Sequence, residues 1–524
     1  MISHFGHEDA ASASGGALEE VLGHLVTNRE ISRFLEEDNK PFLIGPKGTG
    51  KTLLLIKKAL SKLQDSSIIV VPNNKDLPVD RLTTDSNPGQ RFLYKTSEDQ
   101  NAVLTWTALW KNAIYKAALY NAAGMAGDFQ RHEGLHHLKK SGLPKNYVEL
   151  ASARASQIAR ELLGPPPYVH RRAPFYFYHD GATLLDDDPT STAKRIREEN
   201  GHLKDTLETL SLSTYIFIDN IDTYYETDPG LWLASTSGLM FAVRELRLEL
   251  RHLHIFTSIR SDIYRQFKTE KRLQFGDYIA PLSYTRDELI QVFFSGISRL
   301  PDDLLSKPQQ RLSDPWTAFF GDHSYILNQS TRAMESVKQL LLRHTLYRPR
   351  DIVSIGNRIL GERRDAPLTA EAIRSGVTNA AKEIREAYYA EVEPSLPRGF
   401  DLAEFVRKFV PSNVLMSDNL RQLYEQYNKN AGDSCFDYHP FCILFRLGLL
   451  GYTKGTALGT FVWQFSRPGD VLATDETYHI PPAKAYGLHP ILDEVIGWER
   501  LNRYQIVGHD VEFNQTCLKY VPRA

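Results

Sequence analysis

The stretch GPKGTGKT, residues 45–52, decides the fold of this chain. Residues 41–44 before it are apolar and predict a short strand, and residues 52–63 after it carry apolar side chains at helical spacing. The stretch matches the pattern GxxxxGK followed by Ser or Thr at every fixed position, in the strand–helix context that the pattern requires. A β-branched segment at 67–71 predicts the next strand, so the chain begins a parallel sheet covered by helices.

The glycine-rich stretch has the chemistry of a phosphate-binding loop. Its glycines let the backbone curl so that N–H groups point at the phosphates of a nucleotide, and the N-terminus of the following helix adds positive potential. We therefore predict ATP and Mg²⁺ as cofactors, with Lys51 on the β- and γ-phosphates and Thr52 on the metal. The predicted nucleotide-binding residues of this loop are Gly45, Pro46, Lys47, Gly48, Thr49, Gly50, Lys51 and Thr52.

A second apolar strand, at 214–218, ends in Asp219 within the sequence YIFIDNID. We expect this strand to carry Asp219 to the carboxyl edge of the sheet, beside the loop, where its carboxylate would hold Mg²⁺ through water. Many ATPases have Glu directly after this Asp to orient the attacking water, but this chain has Asn220. Asp222 is the predicted general base or water-orienting residue. The alternative is that Asp222 only caps the following turn, and hydrolysis would then be slow.

Two further strands complete the predicted sheet, at 254–257, after a helix at 238–253, and at 277–282. Arg260 closes the first of them and is predicted to neutralise charge on the transferred phosphoryl group. The alternative is an arginine that only caps the strand end. The predicted catalytic residues are Lys51, Asp219, Asp222 and Arg260, and the predicted metal-binding residues are Thr52 and Asp219.

The composition excludes several classes of protein. Hydrophobic and charged fractions of 42% and 24% are ordinary for a globular protein, and a net charge of -2 provides no global attraction to nucleic acid or anionic membranes. The cysteines, Cys435, Cys442 and Cys517, form no CxxC pair, which argues against a disulfide framework and a thiolate zinc site. No run of 18 apolar residues occurs, so we expect a cytoplasmic protein without a membrane span.

The pattern along the chain predicts four regions. Residues 1–17 read as a disordered leader rich in Ala, Ser and Gly. A helix at 18–36 opens the core, residues 18–285, which contains a largely helical insertion at about 84–210. Residues 286–398 are mainly helical. In residues 399–524, two short helices precede a strand in which Phe461, Trp463 and Phe465 alternate with other residues, which is typical of a hairpin.

These residues resemble the AAA+ and STAND branches of P-loop ATPases, and in particular the bacterial ATPases similar to origin-recognition/Cdc6 proteins. TNRE, residues 27–30, resembles the GRE box that precedes the phosphate loop and packs on the adenine, although Asn28 replaces its Gly. Arg29 is the residue of this box predicted to bind the nucleotide. IDNID resembles the aspartate motif of STAND proteins, and FTSIR, ending in Arg260, resembles their sensor-1 strand.

The resemblance implies an α/β fold: a P-loop NTPase parallel sheet (the AAA+ core), a helical lid at 286–398 and a C-terminal winged-helix-like domain. YRPRD, residues 347–351, lies where the sensor-2 helix is expected, so that Arg348 or Arg350 would reach the γ-phosphate. Neither the GxxR motif of AAA+ proteins nor the GxP motif of STAND proteins is present. The alternative is therefore a plain helix N-terminus.

The resemblance also implies a regulatory ATPase that acts as a nucleotide-dependent switch. It would work as a homo-oligomer or with a partner effector. Some members of this group act in bacterial defence against phages. The alternative is a DNA-binding ATPase of the replication-initiator or transposition-regulator kind, with DNA bound through the C-terminal domain. Residues 401–524 contain 12 Lys/Arg against 14 Asp/Glu, so this domain is not basic as a whole.

Overall fold

The structure is a computed structural model of the chain. It describes residues 5, 25–63, 68–72, 213–219, 229–267, 269–327, 334–363, 368–393, 396, 400–431, 440–455, 461–466, 480, 482–496 and 511–514, together with short pieces within 103–118, 172–173 and 197–208. Most of the predicted insertion at 84–210 lies outside the described residues. The pieces within 103–118 are helical, and they include the fully buried side chains of Trp106 and Trp110.

A parallel sheet forms the centre of the first half of the chain. Its described strands follow the order β3-β2-β4-β5-β1-β6, and every neighbouring pair is parallel. The strands are β1 (Phe42–Gly45), β2 (Ile68–Pro72), β3 (Arg172–Ala173), β4 (Thr214–Ile218), β5 (Leu253–Arg260) and β6 (Ile279–Pro281). The predicted α/β class with a parallel sheet is confirmed.

The central strands are apolar on both faces because helices cover both sides of the sheet. In β1, Leu43 joins one hydrophobic core, whereas Phe42 and Ile44 join another on the opposite face. The covering helices are α1 (Arg29–Glu36), α2 (Lys51–Leu63), α3 (Pro229–Glu249), α4 (Ser261–Gln266) and α5 (Thr269–Phe275). Helix α3 begins nine residues before the predicted helix at 238–253. The helix predicted over 18–36 is wrong at 25–28, because Asn28 accepts the Ile31 N–H and caps α1 there.

A buried lysine joins α1 to α2. Lys58 is fully buried, and its Nζ donates to the carbonyl oxygens of Phe34 (2.7 Å) and Glu37 (2.9 Å) and pairs with Asp38 at 3.1 Å. These carbonyls are among those that the end of α1 leaves without intrahelical partners. Burial lowers the pKa of Lys58 to about 8, against the attraction of Asp38.

We expect the stability of the protein to depend on Lys58 in a pH-sensitive way. Because the folded-state pKa lies below the unfolded value of 10.5, the cost of burying the charge is fully present below pH 8 and falls as pH rises towards 10.5. Between pH 7 and pH 10, the free energy of unfolding of wild type should therefore rise by about 2 kcal/mol relative to that of Lys58→Met. Urea unfolding at both pH values measures this. Lys62→Met is the control, since the pKa of Lys62 is raised and predicts no such gain.

A helical region follows the sheet. Its helices are α6 (Arg286–Ser298), α7 (Pro315–Phe320), α8 (Val337–Arg343), α9 (Pro349–Gly361) and α10 (Ala370–Val392), with a small hairpin of β7 (Tyr325–Leu327) and β8 (Met334–Ser336). The sequence did not predict this hairpin. Phe5 packs into the same region with its side chain fully buried. The expected disorder of the leader, residues 1–17, is therefore wrong at Phe5, and the other leader residues lie outside the described ones.

The C-terminal part contains a second sheet, of order β13-β11-β10-β12-β9 in the described residues. Its elements are α11 (Leu402–Phe409), β9 (Val414–Met416), α12 (Ser417–Ala431), α13 (Pro440–Arg446), β10 (Leu450–Gly455), β11 (Phe461–Ser466), β12 (Ala485–Leu488), α14 (Asp493–Ile496) and β13 (Val511–Asn514). The predicted helices and the hairpin (β10 with β11) occur, but the sheet is larger than a single wing. No helix of the described residues is long and apolar enough to cross a membrane.

Candidate functional site

The loop at 45–52 leaves the sheet at the carboxyl end of β1. In an open parallel sheet, ligands bind outside the carboxyl ends of the strands. The register places Gly45 level with Arg260 at the end of β5, and Ile218 at the end of β4 level with Thr257. The loop, Asp219 and the end of β5 therefore share one edge of the sheet.

The backbone of the loop needs its glycines. Gly48 and Gly50 have φ angles of 82° and 86°, in the left-handed region that side-chain-bearing residues rarely adopt. At Gly45, an added Cβ would lie 2.9 Å from Thr49 Oγ1 and 3.0 Å from Leu282 Cβ. The loop therefore curls at Gly48 and Gly50 through backbone angles that favour glycine, whereas the direction of its N–H groups towards phosphates stays a prediction.

Lys51 lies against the loop that it follows. Its Nζ donates to the carbonyl oxygens of Gly45 (3.0 Å) and Pro46 (2.9 Å), so the ammonium is held within the curl of the loop. Thr49 is buried and donates to the Pro46 carbonyl oxygen at 2.7 Å. Thr52, the second residue of α2, is half-buried at the start of the helix, and Lys47 is half-buried on the loop.

Asp219 does not lie on the strand next to the loop. Strand β5 lies between β4 and β1, so Asp219 reaches the same edge of the sheet as the loop but from one strand further away. At the spacing of neighbouring strands, the separation across the sheet is about 10 Å. Ser258, on β5, donates a hydrogen bond to the Asp219 carboxylate and fixes it at the same edge. The predicted role of Asp219 as a ligand of Mg²⁺ through water stays a prediction.

Arg260 is bound to carboxylates. The side chain is buried, and it donates to Asp262 through Nε (3.0 Å) and Nη2 (2.5 Å). Its Nη2 also lies 3.9 Å from Glu391, near the end of α10. The predicted role of Arg260 at a transferred phosphoryl group stays a prediction, and it requires the guanidinium to leave Asp262.

Helix α9 contacts the loop directly at its first turn. The backbone N–H of Arg350 donates to the Gly48 carbonyl oxygen at 3.2 Å. The Arg350 side chain covers Gly48 closely enough that a Cβ there would lie 3.2 Å from Arg350 Cβ and 3.4 Å from its Nε. The structure therefore brings Arg350 to the loop, with both its backbone and its side chain in contact, whereas its predicted contact with the γ-phosphate stays a prediction.

Arg348 belongs to a buried charged cluster that also contains Arg260. Its Nη1 donates to Glu391 at 2.8 Å, and its guanidinium carbon lies 4.7 Å from the centre of the Tyr388 ring. Burial disfavours its charged form, but Glu391 and Asp351 outweigh this and raise the pKa of Arg348. Glu391 thus joins the end of β5 to the start of α9. The sequence did not single out Glu391, because nothing near it in the chain indicates its partners.

The turn before α9 carries backbone strain. Tyr347 has a φ of 58°, and it is the only non-glycine residue with positive φ among the described residues. Such a conformation persists for a bulky residue only where its surroundings impose it, and strained residues of this kind cluster at functional sites. Asp351, in the first turn of α9, accepts the Leu346 N–H at 2.7 Å, and burial raises its pKa to about 6.

Of the remaining predicted residues, the structure describes Arg29. Arg29 is exposed in the first turn of α1, and no hydrogen bond or ion pair joins it to the loop in the described part of the chain. Asn28, beside it, donates to the Ser283 carbonyl oxygen at 3.1 Å and holds α1 against the segment after β6. Asp222 and Asn220 lie outside the described residues.

The donor set fits a nucleotide triphosphate with Mg²⁺. The loop provides a curled backbone and the ammonium of Lys51. The side chain of Thr52, at the start of α2, provides a hydroxyl, and Asp219, directly after β4, provides a carboxylate that Ser258 holds. Among the described residues, no cluster of three or more His, Cys, Asp or Glu side chains offers another metal site. No protein-family model matches the chain, and no curated protein matches it either.

Proposed function

We propose that the chain is a P-loop ATPase of the AAA+ and STAND kind, which binds ATP and Mg²⁺ at residues 45–52 and uses the nucleotide to position its helical lid, residues 286–398. The observation that carries the proposal is the contact between Arg350 and Gly48. Because the first turn of α9 rests on the loop that would hold the phosphates, a change in bound phosphate changes the surface on which α9 packs.

The buried cluster supports the same function. Glu391 on α10 binds Arg348 at the start of α9 and lies near Arg260 at the end of β5. Movement at either the sheet edge or the lid must therefore rearrange one buried ion network. A buried ion network that has lost some of its partners is high in free energy. The protein is therefore expected to have two discrete arrangements of these residues and no stable intermediate between them.

The residues divide the chemistry between binding and hydrolysis. When bound, Mg²⁺ would offset the charge of the phosphates. Lys51 would leave the carbonyls of Gly45 and Pro46 to contact the phosphates, and Ser258 would keep Asp219 oriented. Asn220 takes the position where many ATPases have the water-orienting Glu, so we propose slow hydrolysis, suited to a switch acting on assembly or on a partner effector.

Titration with a fluorescent ATP analogue and Mg²⁺ tests the proposal. Wild type should bind saturably, and Lys51→Ala should bind at least about 100-fold more weakly. Asp219→Asn should still bind the nucleotide but should no longer hydrolyse it, so no phosphate is released. Lys57→Ala is the matched control, because this half-buried lysine lies on α2 about one and a half turns after the loop. Equal binding by wild type and Lys51→Ala contradicts the proposal.

A second function is supported by the C-terminal domain. Helices α12 and α13 followed by the β10–β11 hairpin have the order of a winged helix, and Lys484 is exposed on the same sheet just before β12. This favours a DNA-binding ATPase. Gel shifts with duplex DNA at graded salt decide between the two, because phosphate contacts produce a steep salt dependence. No binding at low salt rejects DNA binding and leaves a protein partner.

A further inference from the structure

Phe5 occupies a pocket between α6 and α9. Its ring is fully buried, with ring centroids 4.9 Å from Phe293 and 5.2 Å from Phe319. Its backbone N–H donates to Asn357 Oδ1 at 2.9 Å, and Arg299 donates to its carbonyl oxygen at 2.7 Å. The side chain and both polar backbone groups of this one residue are therefore bound.

Two glycines make room for the ring. A Cβ on Gly296 of α6 would lie 2.3 Å from Phe5 Cδ1, and one on Gly356 of α9 would lie 2.6 Å from the same atom. Neither glycine has a positive φ, so the backbone does not require them. Glycine in the interior of a helix costs about 1 kcal/mol relative to Ala. The space that they leave for Phe5 is thus the physical reason for two glycines at these positions.

The occupant has the character of a tethered ligand. Residues 8–17, EDAASASGGA, are rich in small and polar residues, a composition typical of linkers. A ligand on a short flexible linker binds at an effective concentration in the millimolar range, so a weak site can still be filled.

We propose that this pocket is a peptide-binding site for a single aromatic residue in the lid, and that its occupant is the chain's own N-terminal segment acting as an intramolecular ligand. The ligand ties α6 to α9. Since Arg350 and Gly356 are six residues apart on α9, the site lies about 9 Å along the helix from the phosphate loop. The inference rests only on the pocket and holds whether or not the loop binds ATP.

Restoring the ligand in trans tests the proposal on the full-length Phe5→Ala variant. A synthetic peptide of residues 1–10, MISHFGHEDA, should raise the thermal unfolding midpoint of this variant, with a Kd of about 0.1–1 mM. The same peptide with Ala at the fifth position should not, and wild type should show no shift because its pocket is filled. No shift of the variant with the MISHFGHEDA peptide overturns the proposal, since Phe5 would then be ordinary core.

A glycine substitution provides a second test that does not depend on the peptide. Gly356→Ala should lower the unfolding midpoint of wild type, where the new methyl collides with the ring. In the Phe5→Ala background it should leave the midpoint unchanged or raise it, because Ala is the better helix former. Equal effects in both backgrounds contradict the proposal. A dimer in light scattering that Phe5→Ala dissolves would place the occupant in a second copy and overturn the intramolecular assignment.

Discussion

Gly48→Val is expected to lower the affinity for ATP and Mg²⁺ at least about 100-fold while the protein remains folded. The φ of 82° at Gly48 is unfavourable for a β-branched residue, and this strain costs on the order of 1–3 kcal/mol. The new Cβ would also lie 3.2 Å from Arg350 Cβ, so the loop or the first turn of α9 must shift by a few tenths of an ångström. The loop amides then no longer point at the phosphates, and isothermal titration with ATP and Mg²⁺ measures the loss.

A second glycine provides the control for this experiment. Gly276 has no neighbouring atom within 4 Å of an added Cβ and does not have a positive φ. Gly276→Val should therefore keep wild-type affinity and a similar unfolding midpoint. If both variants bind ATP as wild type does, the loop at 45–52 does not hold the phosphates.

Glu391→Ala is expected to lower the free energy of unfolding by about 3–5 kcal/mol, the cost of leaving buried charges without their partner. Arg260 would keep Asp262, but Arg348 would lose the carboxylate that binds its Nη1 at 2.8 Å. Urea unfolding followed by circular dichroism measures the difference. Glu391→Gln should lower the free energy of unfolding by less than Glu391→Ala does, because the amide oxygen still accepts a hydrogen bond.

An exposed acid on the same helix is the control. Glu386 lies on α10 with 60% of its side chain exposed and only a 3.9 Å contact to Arg385. Glu386→Ala should change the free energy of unfolding by no more than about 0.5 kcal/mol. A similar small cost for Glu391→Ala would show that the cluster does not hold the lid to the sheet edge, and it would remove the ionic support for the proposed switch.

Local sequence was sufficient for the features that consecutive residues build. The strand, loop and helix around residues 45–52 were predicted because glycine spacing and apolar period act within one short segment. Strand β4, ending before Asp219, was predicted with its bounds. The helix that opens within YRPRD was instead expected from the family resemblance, and α9 begins there at Pro349.

Tertiary structure alone decided which of these segments meet. The place of β5 between β4 and β1 depends on how crossover connections return to the sheet, which no single segment encodes. The chain separates Glu391 from Arg260, and Phe5 from Asn357, by far more residues than any local pattern spans. The sequence by itself determined a glycine-rich loop between a strand and a helix of a parallel sheet. Only the packing of distant side chains brought α9 onto that loop and Phe5 between α6 and α9, because burial and ion pairing select partners by proximity in space.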